Sequence, residues 1–371
     1  MNTININALL VILIFGSLIL LAFLNVTNPL KVNKKANFWF GIFLFLWATF
    51  WLEEITLLIW KENLNGYLAL FFHYIQFFTP IVYFISVVFF TNPNYRFHKT
   101  YQKYLILPII FLILLLLQKL YDLENSNIFQ LLIIGIILIQ VLFYSIKSYL
   151  LIRKHQKKIL VLFSNTSEIN LNWLEYIILS ILSISIIISV YNLFFNPLTL
   201  NVYMNVTFLI LIYVIAYNSL KQKDIFPFDE LKRNQIISIN EEEQFTEQKK
   251  KIVSDDELLI LKSKLEDLMI KQEPYLDSEL NLIKLSELLN ITSHQLSYVI
   301  NSGFNENFFQ FINKYRVEKA KKLLVNEDLN SLSILGIAFE SGFNSKTSFN
   351  TIFKKITNNT PSDFKKMSSK L

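Results

Sequence analysis

Seven long apolar segments occupy the first 220 residues, and they constrain the fold more than any other feature of this sequence. Each is close to the roughly 20 residues that an α-helix needs to cross the hydrocarbon core of a bilayer. The residues that follow are polar, with alternating charges. The sequence therefore predicts an all-α protein, in which a seven-helix transmembrane bundle precedes a second all-α domain. The predicted spans are 7–26, 38–60, 67–90, 103–120, 128–151, 172–195 and 201–220.

Basic residues in the connections between these segments predict the orientation of the chain. Three alternate connections contain eleven Lys and Arg residues, whereas the other three contain only Lys61 and Lys119. An excess of Lys and Arg is typical of cytoplasmic loops. We therefore expect a multi-pass membrane protein whose N-terminus is outside and whose residues after 220 are cytoplasmic.

The composition argues against the common enzyme classes. Cys is absent, which excludes disulfides, thiolate metal sites and cysteine nucleophiles, and the four His residues are scattered. The sequence contains neither a G-x-x-x-x-G-K-[ST] phosphate loop nor a G-x-S-x-G elbow, and only seven Gly residues. We expect no enzymatic activity, no metal site and no cofactor.

Carboxylates inside the predicted spans are the most unusual residues of the membrane half. Glu53 and Glu54 lie in the second span, where an ionised carboxylate costs about 2.5 to 3.5 kcal/mol. Counting from the short loop that follows, antiparallel packing places His73 at the depth of Glu54. One interpretation is that these polar groups satisfy each other and hold helices together. The other is an outward-facing sensor pocket formed by Glu53, Glu54 and His73.

The region between the membrane half and the C-terminal domain is predicted to be a tether. Residues 221–254 contain no long apolar run, and residues 255–272 have the pattern of an amphipathic helix. Its leucine stripe either packs on its own domain or forms the short parallel seam of a homodimer.

The stretch from Ile337 to Pro361 has the pattern of two short helices joined by a tight turn at Gly342. In the second helix, apolar residues recur at helical spacing on one face, and polar residues form the opposite face. This is the pattern of a helix-turn-helix, whose second helix enters the major groove of DNA. The apolar set is Phe349, Ile352, Phe353 and Ile356, and the polar set is Thr347, Asn350, Thr351 and Lys354.

A second copy of this pattern lies about 52 residues upstream. Its second helix presents His294, Ser297, Tyr298 and Asn301 at the corresponding polar positions. Two such helices on one chain would read two major-groove segments about 34 Å apart. The predicted domain covers 275–371, with helix-turn-helix motifs at about 282–302 and 333–356 and a linker helix at 307–325.

The charge of the C-terminal region favours a nucleic-acid partner. The last 26 residues contain six lysines and one aspartate. A cluster of this kind neutralises DNA phosphates. Lys346, Lys354 and Lys355 are the lysines that lie on the predicted second recognition helix.

The segment from about Tyr275 to Lys366 resembles the DNA-binding domain of AraC/XylS transcriptional regulators. The matching stretches are LSYVIN, FINKYRVEKAKKLL and IAFESGFNSKTSFNTIFKKITNNTPSDF. The resemblance implies a bacterial, DNA-binding regulator of promoters, commonly an activator that contacts RNA polymerase. With seven spans before it, the chain is also similar to membrane-bound regulators of this type in Bacteroidetes-like bacteria, which implies the inner membrane.

The resemblance also implies which residues face the bases. They are His294, Ser297 and Tyr298 in the first recognition helix, and Lys346, Thr347, Asn350 and Thr351 in the second.

Two departures from the family pattern carry predictions. The family usually has Gly at the positions of Asn290, Asn305 and Asn358, and Asn tolerates the left-handed backbone that such turns need. It often has Arg where Tyr298 and Thr351 stand, so strong guanine readout is not expected there. We expect a site rich in A·T pairs.

The favoured function is a membrane-tethered, one-component transcription regulator that couples a signal in the bundle to promoter DNA. The alternative is a seven-span transporter or receptor whose cytoplasmic helices dock a protein partner. Specific DNA binding separates these two hypotheses.

Overall fold

A computed structural model of the chain describes residues 6–62, 64–96, 104–123, 126–194, 200–223, 225, 253–325 and 332–368. These residues form helices and loops, with no strand among them, and an isolated antiparallel bridge pairs Phe163 with Asn281. The predicted all-α fold class is thus confirmed for this part of the chain. Contacts divide the chain into two units. The first comprises Met1–Lys154 and Leu171–Ile225, and the second comprises His155–Asn170 and Phe226–Leu371.

Apolar helices make up the first unit. Within the described residues, five helices are long and apolar enough to cross a membrane by length and composition, and Ile106–Leu120 is a shorter apolar helix. That all seven predicted segments cross a bilayer stays a prediction. The helices are α1 (Ile6–Thr27), α2 (Lys34–Ala48), α3 (Leu52–Trp60), α4 (Gly66–Gln76), α5 (Thr79–Thr91), α6 (Ile106–Leu120), α7 (Asn127–Leu162), α8 (Asn172–Phe194) and α9 (Leu200–Lys221), and a 3-10 turn at Thr49–Trp51 joins α2 to α3.

Helices α1 and α2 approach closely because Gly41 lies at their contact. A Cβ atom on Gly41 would be 2.6 Å from Val26 Cγ2 and 2.8 Å from the carbonyl oxygen of Ala22. Small residues at such contacts are usual between membrane helices, where close packing replaces the hydrophobic driving force. This contact fixes the position of α2. The 3-10 turn then joins α2 to α3, whose first turn contains Glu53 and Glu54.

The second unit contains two helix pairs separated by a long helix. The predicted linker helix begins at Phe308, and the predicted amphipathic helix ends at Lys271. Most of the predicted tether, residues 224 and 226–252, lies outside the described residues. The helices are α10 (Asp255–Lys271), α11 (Leu282–Leu288), α12 (Ser293–Tyr298), α13 (Phe308–Val325), α14 (Ile334–Glu340), α15 (Lys346–Thr357) and α16 (Pro361–Ser368), with a 3-10 turn at Pro274–Leu276 and a π-helical segment at Val299–Gly303.

Helix α10 packs on its own unit, the first of the two alternatives considered for its leucine stripe. Leu261, Leu265 and Leu268 are buried. The Lys262 ammonium lies 4.8 Å from the centre of the Phe304 ring, so the helix also contacts the unit through a cation–π interaction. Its N-terminus is capped by Ser254, whose Oγ accepts a hydrogen bond from Glu257 N.

Three asparagines adopt the left-handed backbone conformation that was predicted for them. Asn290, Asn305 and Asn358 have φ angles of 55°, 56° and 61°. These are left-handed conformations, which Asn adopts more readily than most non-glycine residues. At the turn of the second helix pair, Gly342 has φ 86°, and a Cβ atom there would lie 2.3 Å from the carbonyl oxygen of Tyr275. Glycine is therefore required at residue 342 by both backbone angle and space.

The fully buried Arg316 of α13 ties three chain segments together. Its Nε donates to the carbonyl oxygen of Tyr275 at 2.7 Å, and its Nη2 donates to that of Asp277 at 2.8 Å. Nη2 also donates to Ser164 Oγ at 2.9 Å. Burial lowers the pKa of Arg316 to about 10, although Asp277 and Glu279 oppose that shift. Because carbonyl oxygens and a hydroxyl receive its hydrogen atoms, the buried cation is satisfied without a buried carboxylate.

Candidate nucleic-acid interface

Helix α15 has one buried and one open face, as expected of a recognition helix. Phe349 and Phe353 are fully buried and pack with Val317, Ala320 and Ile337. Ser345 caps the helix by accepting a hydrogen bond from Ser348 N at 3.2 Å. The opposite face is open: Lys346, Thr347, Thr351, Lys354 and Lys355 are exposed, and Asn350 is half-buried.

One residue of the predicted apolar face of α15 is in fact open. Ile356 is 42% exposed, although its spacing placed it with Phe349 and Ile352. It lies in the last turn, one residue before the helix ends at Thr357. The buried face of α15 therefore ends at Phe353.

Five lysines of α15 and α16 lie close together in the sequence, and all except the half-buried Lys365 are exposed. Lys346 lies in the first turn of α15, Lys354 and Lys355 lie in its last turn, and Lys365 and Lys366 follow in the last turn of α16. The Asp363 carboxylate accepts a hydrogen bond from Thr360 Oγ1 at 2.6 Å. Lysine ammonium groups suit phosphate oxygens, whereas Asn350 can bond to the edge of a base.

The upstream helix, α12, presents a smaller polar face than the sequence predicted. His294 and Tyr298 are half-buried and Asn301 is exposed, whereas Ser297 is only 4% exposed. Ser297 is therefore nearly covered by its own unit, and its contact with a base stays a prediction. Its place on the helix explains this, because at 3.6 residues per turn Ser297 lies only about 60° around the axis from Ile300, which is buried.

The π-helical segment at Val299–Gly303 completes the explanation. A π turn has wider spacing than an α-helix, so positions beyond Tyr298 do not continue the stripe at the expected angle. Asn301 Nδ2 lies 3.4 Å from Ser297 Oγ. The polar side chains of the upstream helix pair that remain accessible to DNA are those of His294, Tyr298 and Asn301.

The predicted sensor residues are close together in the first unit, in a different pairing from the one expected. His73 Nε2 lies 3.7 Å from Glu53 Oε1, and both side chains are half exposed. Glu54, expected opposite His73, lines a cavity of about 800 Å³ to which His73 also contributes.

Two important residues were missed by the sequence analysis. The polar sequence around Arg316, NKYRVEK, predicts an exposed basic side chain, yet Arg316 is fully buried. Gln140 is fully buried in α7, and it was masked by the apolar run around it. A polar residue within such a run is the only available signal, since a helix that crosses a membrane carries few of them.

Comparisons with known proteins match the C-terminal region. Residues 285–367 match the family model of a helix-turn-helix domain. An uncharacterized HTH-type transcriptional regulator in the cgkA 5′ region of Pseudoalteromonas carrageenovora is 30% identical over 89 residues, which are 24% of this chain and 51% of that protein. The chain thus spans about half the length of this curated relative.

A solved structure also matches this region. It is the C-terminal domain of the two-component response regulator yesN from Fusobacterium nucleatum, with 33% identity, a TM-score of 0.25, and coverage of 28% of this chain and 96% of that domain. The AraC-type helix-turn-helix domain predicted from the sequence is confirmed at the C-terminal end. The family match and the named relative support DNA-binding transcription regulation.

Proposed function

We propose that this protein is a membrane-tethered, one-component transcription regulator. Its first unit is a seven-span bundle with the N-terminus outside, and its AraC-type domain binds promoter DNA from the cytoplasmic face of the inner membrane. The apolar helices and the helix-turn-helix match on one chain support this proposal. The family resemblance adds activation through RNA polymerase, and a homodimer is compatible with it.

One observation carries the tethering part of the proposal. Helix α7 has the length and composition of a membrane helix and ends at Leu162, and Ser164 follows two residues later. Ser164 is buried in the second unit, where Arg316 and Asn313 of α13 donate hydrogen bonds to it. The loop that follows α7 therefore belongs to the second unit, where it is hydrogen-bonded to the helix between the two helix pairs.

DNA contacts are proposed for both helix pairs. His294, Tyr298 and Asn301 would contact one major-groove segment, and Lys346, Thr347, Asn350 and Thr351 the next. Lys354 and Lys355 would bind phosphates. Two base-contacting helices on one chain would make the recognised site asymmetric, with its halves about 34 Å apart.

Selection of binding sites from a random duplex library tests this function. The full-length protein, purified in detergent, should enrich one sequence motif with two blocks about one helical turn apart, in which A·T pairs dominate the contacted positions. Recovery of unrelated sequences, with binding lost uniformly as salt rises, would contradict sequence-specific regulation. The protein-docking alternative predicts that outcome.

A further inference from the structure

A cavity of about 800 Å³ lies among the apolar helices of the first unit. Its wall contains residues from α2 through α9, and aromatic rings dominate one side. Trp47 and Trp51 have ring centroids 6.5 Å apart, and Phe208 lies 5.3 Å from Trp51. This volume is within the range that holds a drug-sized organic molecule, and most of its surface would contact apolar groups.

Two glutamines in the wall have their amide nitrogens already engaged. Gln76 Nε2 donates to the carbonyl oxygen of Thr49 at 3.0 Å, and Gln140 Nε2 donates to that of Phe77 at 2.5 Å. A main-chain carbonyl oxygen only accepts hydrogen bonds, so the nitrogen of each amide must be the atom that faces it. What these glutamines can offer a ligand is therefore their oxygen atoms.

The described part of the wall also contains two buried oxygens without a partner, of which the amide oxygen only accepts hydrogen bonds and the hydroxyl can accept or donate. Gln140 Oε1 and Thr79 Oγ1 are buried without a hydrogen-bond partner among the described residues. Both polar atoms of the Asn205 side chain are engaged, because its Oδ1 accepts from Trp51 Nε1 and its Nδ2 donates to Asn7 Oδ1. A buried oxygen without a partner costs free energy, and a donor from a ligand would recover it.

Glu54 supplies the charge of the cavity. Its side chain lines the wall, and within the described part of the chain no ion pair or hydrogen bond engages its carboxylate. His73, which also lines the wall, is 3.7 Å from Glu53 instead. A carboxylate within apolar helices requires a partner, and a cation over nearby aromatic rings gains a further attraction.

We propose that this cavity binds an amphipathic organic amine, with its protonated nitrogen at Glu54 and its apolar body against the aromatic wall. An ammonium group supplies an N–H donor for the unpaired oxygen of Gln140 and a positive charge for Glu54. A fatty acid would bring a second carboxylate to Glu54, and an alcohol or a lipid chain would leave its charge unpaired. This assignment rests on the proposed function, in which the bundle receives the signal, and it names the chemistry of that signal.

Equilibrium binding to the full-length protein in phosphatidylcholine nanodiscs tests the proposal. The probes are radiolabelled decylamine, decanol and decanoate, which share one apolar body, and binding to empty nanodiscs is subtracted. Decylamine should bind at least about tenfold more tightly than decanol, with decanoate weakest. Equal binding of decylamine and decanol would overturn the proposal, because it describes a site for a hydrocarbon chain only. This comparison uses the unmodified protein, so it does not depend on the folding of any variant.

Three variants locate the amine. Glu54→Gln should weaken decylamine binding about tenfold and leave decanol binding unchanged. Glu62→Gln is the matched control, since Glu62 is an exposed carboxylate that does not line the cavity, and decylamine binding should be unaffected. Thr79→Val removes a hydroxyl that has no partner and should weaken binding a few-fold. Undiminished decylamine binding by Glu54→Gln would overturn the assignment. DNA site selection is a separate measurement, so failure here leaves the proposed function standing.

Discussion

Arg316 Nη2 donates a hydrogen bond to Ser164 Oγ at 2.9 Å, joining residues that are 152 positions apart in the chain. Ser164 also contacts a third segment, because its Oγ donates a hydrogen bond to the carbonyl oxygen of Leu280 at 2.6 Å. Asn313 Nδ2 donates to the Ser164 carbonyl oxygen at 3.0 Å. The loop after α7 is thus held by α13 and by the segment that leads into α11.

Removal of the Ser164 hydroxyl should loosen this connection. Ser164→Ala leaves the buried Arg316 Nη2 with one hydrogen bond fewer, which should cost about 1–3 kcal/mol because the donor is charged. Hydrogen exchange followed by mass spectrometry should show faster exchange of the α13 amides in the full-length protein.

The same loop provides the control for that substitution. Ser167 is exposed, and its hydroxyl donates only to Asn165 Oδ1 at 3.0 Å. Ser167→Ala should change stability by less than about 0.5 kcal/mol. If both variants exchange like the wild type, the Arg316 contact does not hold the loop.

Two glycines of the second helix pair should respond oppositely to alanine. Gly342→Ala would place a Cβ atom 2.3 Å from a carbonyl oxygen at a φ angle of 86°, so it should destabilise the unit by more than about 3 kcal/mol. In Gly336→Ala the nearest atom is Leu332 Cδ2 at 3.4 Å, and alanine favours the helix by about 0.5–1 kcal/mol. Pulse proteolysis in urea, with a C-terminal tag as readout, measures both. Equal effects would contradict the close approach at Gly342.

Substitutions on the open face of α15 should separate base contacts from phosphate contacts. Asn350→Ala should cost about 1–3 kcal/mol on the selected site and relax the preference at one position. Lys354→Ala should weaken binding to all sequences alike and reduce the slope of log K against log salt by about 1.

A lysine elsewhere in the unit is the matched control for Lys354. Lys271 of α10 is exposed and forms an ion pair with Asp267 at 2.7 Å. Lys271→Ala should leave both the salt slope and the sequence preference unchanged in fluorescence-anisotropy titrations. A slope that falls equally for both variants would indicate charge alone, without a defined interface.

Acid should destabilise the second unit through two carboxylates. Hydrogen bonds from Tyr275 and Lys319 lower the pKa of Glu273 from its ordinary 4.5. For Asp277, burial opposes ionisation, but hydrogen bonds from Lys284 and Glu279 N outweigh it and lower the pKa from 3.8. A carboxyl whose folded pKa is below the unfolded one stabilises the fold above the unfolded pKa, and this contribution is lost as pH falls through the folded value. Stability should therefore decline below about pH 4.5.

A label at an introduced cysteine follows this transition, since the chain has no other Cys. Ser362→Cys places it on exposed α16, and urea unfolding is recorded at each pH. Glu273→Gln should reduce the loss of stability on acidification. Glu318→Gln, which removes only the surface pair with Lys321, should leave it unchanged. An identical pH dependence in all three proteins would contradict the assignment to Glu273.

The sequence predicted those features that depend on local chemistry. The left-handed asparagines and the limits of α13 follow from residue type and spacing, which act over a few residues. Burial of Ser297 was missed because the prediction followed the spacing of the polar residues alone, whereas Ser297 lies only about 60° around the helix axis from the buried Ile300. The Arg316–Ser164 contact could not be predicted, because no local pattern joins residues 152 positions apart. The partner of His73 was also missed. The sequence predicts how deep a residue lies along a helix, but the rotation of the helix about its axis decides whether Glu53 or Glu54 faces His73.

Mapping of the genomic DNA crosslinked to the intact protein, after separation of membrane and soluble fractions, tests whether the protein binds promoters while it is in the membrane. A membrane-tethered regulator should give discrete promoter peaks in the membrane fraction that share one motif and disappear in a variant carrying Asn350→Ala and Lys354→Ala. Uniform recovery of genomic DNA from the membrane fraction, or peaks that the variant retains, would contradict it.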